Sequence, residues 1–107
     1  MEAMVAVADP TRRRILELLR DDGEMAAGDL AQQFTVSRPA VSRHLRVLRE
    51  AGLVTSRVDG QHRVYALDAR PLAELDAWLE PYRQLWAQRL DAFDTEVRRG
   101  RRTRRNP

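Results

Sequence analysis

Residues Ser37–Leu48 read SRPAVSRHLRVL, with arginines at 38, 43 and 46 threaded between Val41, Leu45 and Leu48. Ser37 is a residue type that caps helix N-termini, and Pro39 in the first turn lacks an N–H that would be unpaired there anyway. The helix they open runs to about Ala51, where Gly52 supplies a left-handed terminus. With one residue every ~100° and Val41 at zero, Leu45 and Leu48 fall at about +40° and −20°, the core side. Ser42, Arg46, Pro39 and Arg43 fall at about 100°, 140°, 160° and 200°, on the opposite side. His44 and Ala51 border the core on one flank, Arg49 and Arg38 on the other. Pro39, Ser42, Arg43 and Arg46 therefore form one outward strip.

The flanking sequence supplies a context for that strip. Upstream, Asp9 caps a helix opened by Pro10, buried through Ile15, Leu18 and Leu19 and ended by Asp21-Asp22-Gly23. Gly28-Asp29 opens a short helix with Leu30, Ala31 and Phe34 inward, and Thr35-Val36 turns the chain into Ser37. Downstream, LVTSRV and HRVYAL read as two short strands around the hairpin signal Asp59-Gly60. Pro71 then opens a long helix whose apolar residues Leu72, Leu75, Leu79, Tyr82, Trp86, Phe93 and Val97 keep three-and-four spacing. Trp78, Leu85 and Leu90 broaden that stripe, and Pro81 inside it predicts a kink. The fold class expected is mainly α with a β-hairpin wing: a winged helix-turn-helix with a long C-terminal helix.

Length and composition narrow the function. A chain of 107 residues is expected to form one domain, here 1–98, followed by a basic, disordered tail at 99–107. There is no cysteine, which removes disulfides and thiolate metal sites. No run approaches the ~18 apolar residues of a membrane span, and MEAMVAVADP lacks the basic and apolar regions of a secretory leader. A cytoplasmic protein with no membrane partner is expected. The net charge of +3 conceals a pattern, because all 19 basic residues are arginine. Residues 1–34 balance to −3, residues 35–65 to +4 and residues 66–97 to −4, and residues 98–107 add six arginines. A polyanion would therefore meet 35–65 and be steered away by acidic flanks.

A basic amphipathic helix taken alone is more often a solvated surface. Three features point elsewhere. Residues 37–49 contain no acid, although a surface helix usually mixes signs to gain i,i+4 pairs. Ser42 and Pro39 are small enough to let the helix approach a groove. The helix also follows a short helix and tight turn and precedes a hairpin bearing Arg57, Gln61, His62 and Arg63. In such an arrangement the second helix enters the major groove of DNA.

The run VSRPAVSRHLRVLREAGLV, followed by a DG hairpin and VYAL, resembles the ArsR family of bacterial winged-helix repressors. The resemblance extends from DPTRRRILELL to the long C-terminal helix and leaves out only the tail. It implies a homodimer that binds a near-palindromic double-stranded DNA operator and represses transcription until something releases it; the expected location is the cytoplasm, in association with the nucleoid. It implies base contacts from Arg38, Pro39, Ser42 and Arg43. Wing contacts to backbone or minor groove fall to Gln61, His62 and Arg63. The side-chain chemistry agrees: arginine reads guanine bidentately, serine can donate or accept, and Pro39 can meet a thymine methyl. Arg46, Arg49 and Arg57 suit phosphates, with Ser37 and His44 as further backbone contacts and packing as the competing role of His44.

The resemblance fails at the family's metal sites. Where metal-sensing members carry ELCVCDL, this chain reads EMAAGDL, with Ala26 and Gly28 at the two ligand positions. The second family site, on the C-terminal helix, would have Asp76, Glu80, Asp91 and Asp94 but no histidine. Carboxylates alone suit hard cations and hold them weakly. The expectation is a member of the metal-site-less branch, with no metal, no cofactor and no inducer named by its residues.

The long helix spans roughly 40 Å, too much for one small core to cover. Its aromatic content suits a two-fold interface built from Leu72, Leu75, Trp78, Leu79, Tyr82, Leu85, Trp86, Leu90 and Phe93. Met4, Val5 and Val7 on a short first helix would join it. The arginine-rich tail would add non-specific DNA affinity or remain solvated. Two rival classes stand beside this reading. One is a winged-helix interaction module binding an acidic partner. The other, an enzyme, lacks a nucleophile–base pair, a metal set or a phosphate loop.

Overall fold

In the computed structural model, which describes residues 2–105 and the side chains of residues 2–100, Asp9 and Pro10 start the first long helix. The Asp9 carboxylate accepts from the Arg12 amide at 3.0 Å, capping α2 (Pro10–Asp22). That bond, with lesser help from His44 and the Arg12 guanidinium, holds the Asp9 carboxyl below its ordinary pKa. Gly23, at φ +78°, ends the helix by donating its N–H to the Leu19 carbonyl. Ahead of α2 lies the short α1 (Glu2–Ala6), which buries Ala3 and Ala6 and leaves Val5 exposed.

α3 (Ala27–Gln32) begins one residue before Gly28-Asp29 and has no side-chain cap at Ala26. α4 (Arg38–Glu50) is capped as expected, the Ser37 hydroxyl accepting from the Ala40 amide at 3.3 Å. Its C-terminus is a Schellman arrangement. Gly52, at φ +76°, donates to the Arg49 carbonyl, and Leu53 donates to the Leu48 carbonyl at 2.9 Å. Leu48 and Leu53 are both fully buried there, so the reversal also delivers the chain from helix to sheet through the core.

β2 (Val54–Asp59) and β3 (His62–Leu67) pair antiparallel, with Asp59 opposite His62. The two-residue loop is therefore Gly60-Gln61, one position later than Asp59-Gly60 alone suggests. Gly60 is at φ +63° and Gln61 has no positive φ, the pattern of a type II′ turn with glycine first. A third strand, β1 (Met25–Ala26), pairs with Tyr65 and Val64 and gives the order β1-β3-β2.

The core joins Ala3 and Ala6 of α1, Ile15, Leu16, Leu18 and Leu19 of α2, Leu30 of α3, Val41, Leu45 and Leu48 of α4, and Leu53, Val54 and Tyr65. α5 (Leu72–Arg105) is continuous in helical conformation across Pro81, which removes the amide that would bond the Ala77 carbonyl. Two compact units result, Met1–Leu75 and Asp76–Pro107. Residues 76–100 include no buried side chain, and a lone helix has no core to bind it into a larger unit. Residues 99–105 are helical, where a disordered tail is expected; arginine is a good helix former, and only Gly100 and Thr103 interrupt the run. Residues 106–107 lie outside the described part.

Candidate nucleic-acid interface

The projection of Ser37–Leu48 is realised on α4. Val41, Leu45 and Leu48 are at most 2% exposed, whereas Arg38, Pro39, Ser42, Arg43 and Arg46 are all solvent-facing. Among the described residues, Arg38, Arg43 and Arg46 have neither a hydrogen bond nor an ion pair. This separates them from the arginines elsewhere in the first unit. Arg12, Arg13, Arg14, Arg20, Arg57 and Arg70 are each bound to a carbonyl or carboxylate. A solvated amphipathic face carries neutralising partners; this strip carries none.

The other residues expected near DNA are divided by the fold. Arg49 of α4 and Arg63 of β3 converge on one neutral oxygen, the Ser56 hydroxyl, at 3.5 and 3.2 Å. Two guanidiniums without a carboxylate, in the angle between helix and wing, form a pocket of positive charge for an anion. Gln61 and His62 are exposed at the wing tip. With Arg38 and Arg63 they line a groove of about 620 Å³ whose other wall is the start of α3.

Three of these residues are held in structural bonds, of which the Ser37 cap is visible in the sequence and the partners of Arg57 and His44 are not. Arg57 donates to Glu24 at 2.7 Å and lies 3.8 Å from Asp59, making it a strut between β2 and the chain after α2. The Glu24 bond raises its pKa further. His44 turns away from the strip, with Nδ1 3.3 Å from an Arg12 nitrogen and 3.8 Å from the Asp9 carboxylate. The Ser37 hydroxyl is engaged in the helix cap. Ser56 carries no functional signal in the sequence, although strict alternation from buried Val54 puts it on the inward face. Glu24 and Arg12 give no such local signal, because their partners come from other elements.

The apolar residues expected at an interface also separate. Leu72 packs against the core of the first unit, Leu75 and Met4 are half-buried, and Val7 lies beyond the end of α1 against the core. In the second unit Trp78, Tyr82, Leu85, Trp86, Leu90 and Phe93 are between 44% and 67% exposed, and Leu79 is half-buried. Trp78 and Tyr82 stack with ring centroids 4.9 Å apart. Three carboxylates of that helix pair with arginines: Asp76 and Glu80 both accept from Arg83, and Asp94 pairs with Arg98. Ala26 and Gly28 present no donor atom in their side chains. Among the described residues no group of three metal-ligating side chains comes together, and no helix is long and apolar enough to cross a membrane.

A buried-face recognition helix after a short helix and turn, with unpaired arginines outward and a hairpin beside it, defines a winged helix-turn-helix DNA-binding protein. The arsR family of bacterial regulatory proteins matches residues 9–56. The chain is 40% identical over 74 residues to the transcriptional repressor SdpR of Bacillus subtilis, covering 69% of this chain and 81% of that protein. It is 46% identical over 91 residues to the HTH-type transcriptional regulator Rv2034 of Mycobacterium tuberculosis, covering 85% and 81%. A crystal structure described as a possible transcriptional regulator for arsenical resistance superposes with a TM-score of 0.70 at 44% identity, covering 82% and 96% of the two chains. The chain belongs to the ArsR family. It is a DNA-binding transcriptional regulator and not an enzyme.

Proposed function

We propose that this regulator is a homodimeric repressor that occupies a near-palindromic operator, with residues 1–98 acting as its DNA-binding and dimerisation domain. The observation that carries the reading is the strip of Arg38, Arg43 and Arg46, exposed, uncompensated and opposite a fully buried face. Arg43 and Ser42 read base edges, with Pro39 against a thymine methyl and Arg38 at the leading end of the helix. Arg46, Arg49 and Arg63 hold phosphates, and Gln61 and His62 follow the backbone or minor groove. Arg57 contributes by fixing the wing rather than by direct contact. The exposed aromatic stripe of α5 meets its counterpart in a second protomer, placing two recognition helices about 34 Å apart on one face of the duplex. Repression accords with the name of the SdpR relative. The absence of donor side chains at Ala26 and Gly28 supports release by a signal other than metal binding at that position.

A mobility-shift titration on the DNA upstream of the protein's own coding region, with and without added zinc, cadmium and arsenite, tests this reading. Specific, metal-insensitive retardation is expected, and Arg43→Ala should remove the preference for that fragment over scrambled DNA while leaving the fold intact. Equal affinity of wild type and Arg43→Ala would refute the base-reading role. Absence of any sequence preference in the wild type would favour an acidic protein partner instead.

A further inference from the structure

Gly28 stands in the first turn of α3, and its backbone gives no reason for a glycine. The left-handed glycines are Gly23, Gly52 and Gly60 only. Alanine would suit a helix better at an ordinary φ, since glycine there gives up stability through its greater freedom when unfolded. The reason lies across the groove. A Cβ built on Gly28 would stand 3.0 Å from the Arg38 guanidinium, its only close neighbour outside the adjoining chain. Real side chains do not tolerate that approach without movement, and the atom that must move is the end of a flexible arginine. Arg38 has no hydrogen bond or ion pair to hold it among the described residues. Its guanidinium lies over the bare backbone of α3 at Gly28, in the groove that His62 and Arg63 also line.

We propose that Gly28 is a positioning residue for DNA binding: its missing side chain is the seat of Arg38, and a methyl group there re-aims the guanidinium without disturbing the fold. The inference rests on the operator-binding reading and deepens it, because it extends the interface to a residue that need not touch DNA. A methyl group would displace the guanidinium by a few tenths of an ångström. Charge-assisted bonds are sensitive enough to distance and angle for such a shift to weaken a contact.

The test uses four full-length proteins: wild type, Gly28→Ala, Arg38→Ala and the double variant. Their affinities are measured by fluorescence anisotropy on a duplex that the wild type selects from a random-sequence pool, and thermal melting is followed in parallel. Gly28→Ala should melt at or slightly above the wild-type temperature and bind several-fold more weakly. Arg38→Ala should bind about tenfold more weakly, and the double variant no more weakly than Arg38→Ala alone. Unchanged affinity of Gly28→Ala overturns the proposal. So does a Gly28→Ala loss that persists in full in the Arg38→Ala background, because the glycine would then act on its own. A lowered melting temperature for Gly28→Ala also overturns it, since the glycine would then be structural. If the wild type selects no duplex, it is the operator reading that fails, an outcome separate from these.

Discussion

Replacing Arg12 with alanine should release α1 while leaving α2 and α4 in place. α1 has five residues, too few to hold a helix unaided. Its last carbonyls are held by one side chain: Arg12 Nε donates to the Ala6 carbonyl at 2.6 Å and a terminal nitrogen donates to the Val5 carbonyl at 3.2 Å. A guanidinium at a helix C-terminus also meets the negative end of its dipole. Bonds from a charged donor contribute about 1.5–3 kcal/mol when sheltered, and the second of these faces solvent, so the pair is worth about 2 kcal/mol. For a unit of this size that corresponds to a fall of about 10 °C in melting temperature. The Asp9 cap remains, because its bond runs to the backbone amide of residue 12, although the carboxyl loses the lesser help of the guanidinium. Hydrogen exchange followed by mass spectrometry locates the loss: amides of residues 2–8 should exchange far faster, while those of α4 keep their protection. Arg12→Lys should recover little, since one ammonium cannot span both carbonyls in the same geometry. Unchanged exchange at residues 2–8, or a loss spread evenly through α2 and α4, would refute the assignment of Arg12 as the latch on α1.

Leu45, 1% exposed beneath the recognition strip, should cost about 3 kcal/mol when truncated to alanine, measured by urea denaturation. Gly60→Ala has open space around it, so its cost comes from φ +63° alone; about 1 kcal/mol is expected, with faster amide exchange confined to the wing. The Asp68 carboxylate accepts from the Arg70 guanidinium and from its amide, and these bonds lower its pKa to about 2. Its contribution to stability is complete above the unfolded value near 4 and disappears as pH falls from there to about 2. Carbon-detected NMR titration should place the Asp68 midpoint near 2 and return it toward 4 in Arg70→Ala.

The parts of the fold that local chemistry decides are visible in the chain itself. Asp9-Pro10, Ser37 and Gly52 mark helix ends because a cap or a left-handed terminus is a property of two or three neighbouring residues. The outward direction of Arg38, Arg43 and Arg46 follows from helical period and from Val41, Leu45 and Leu48. Features that depend on two distant segments are invisible at that level. β1 is two residues long, too short for any alternation, and exists because Tyr65 and Val64 offer it an edge. The hairpin loop moved by one residue because cross-strand register, set by Val54 opposite Leu67, determines which side of Asp59 the turn closes. Within the candidate interface, the distinction between Arg57 and Arg46 could not be read, since it depends on Glu24 arriving from the end of α2. Period locates a charge on a face; only the assembled fold shows whether that charge has been neutralised.

That sorting has a thermodynamic consequence at the DNA surface. Arg57 is already neutralised by Glu24, so little would change in the surrounding ion atmosphere even if it met a phosphate. Arg38, Arg43, Arg46, Arg49 and Arg63 have no carboxylate to give up, and each one that reaches a phosphate releases a condensed cation into bulk solution. The entropy of those released ions, rather than new attractive energy, would then drive association. With Arg46, Arg49 and Arg63 on phosphates, the logarithm of affinity should fall with that of salt concentration with a slope near −2.7 per protomer, about 0.9 for each. The arginines look alike in the sequence, but within the recognition helix and wing those that meet phosphates, and not the neutralised Arg57, would set how steeply binding responds to the ionic strength of the cell.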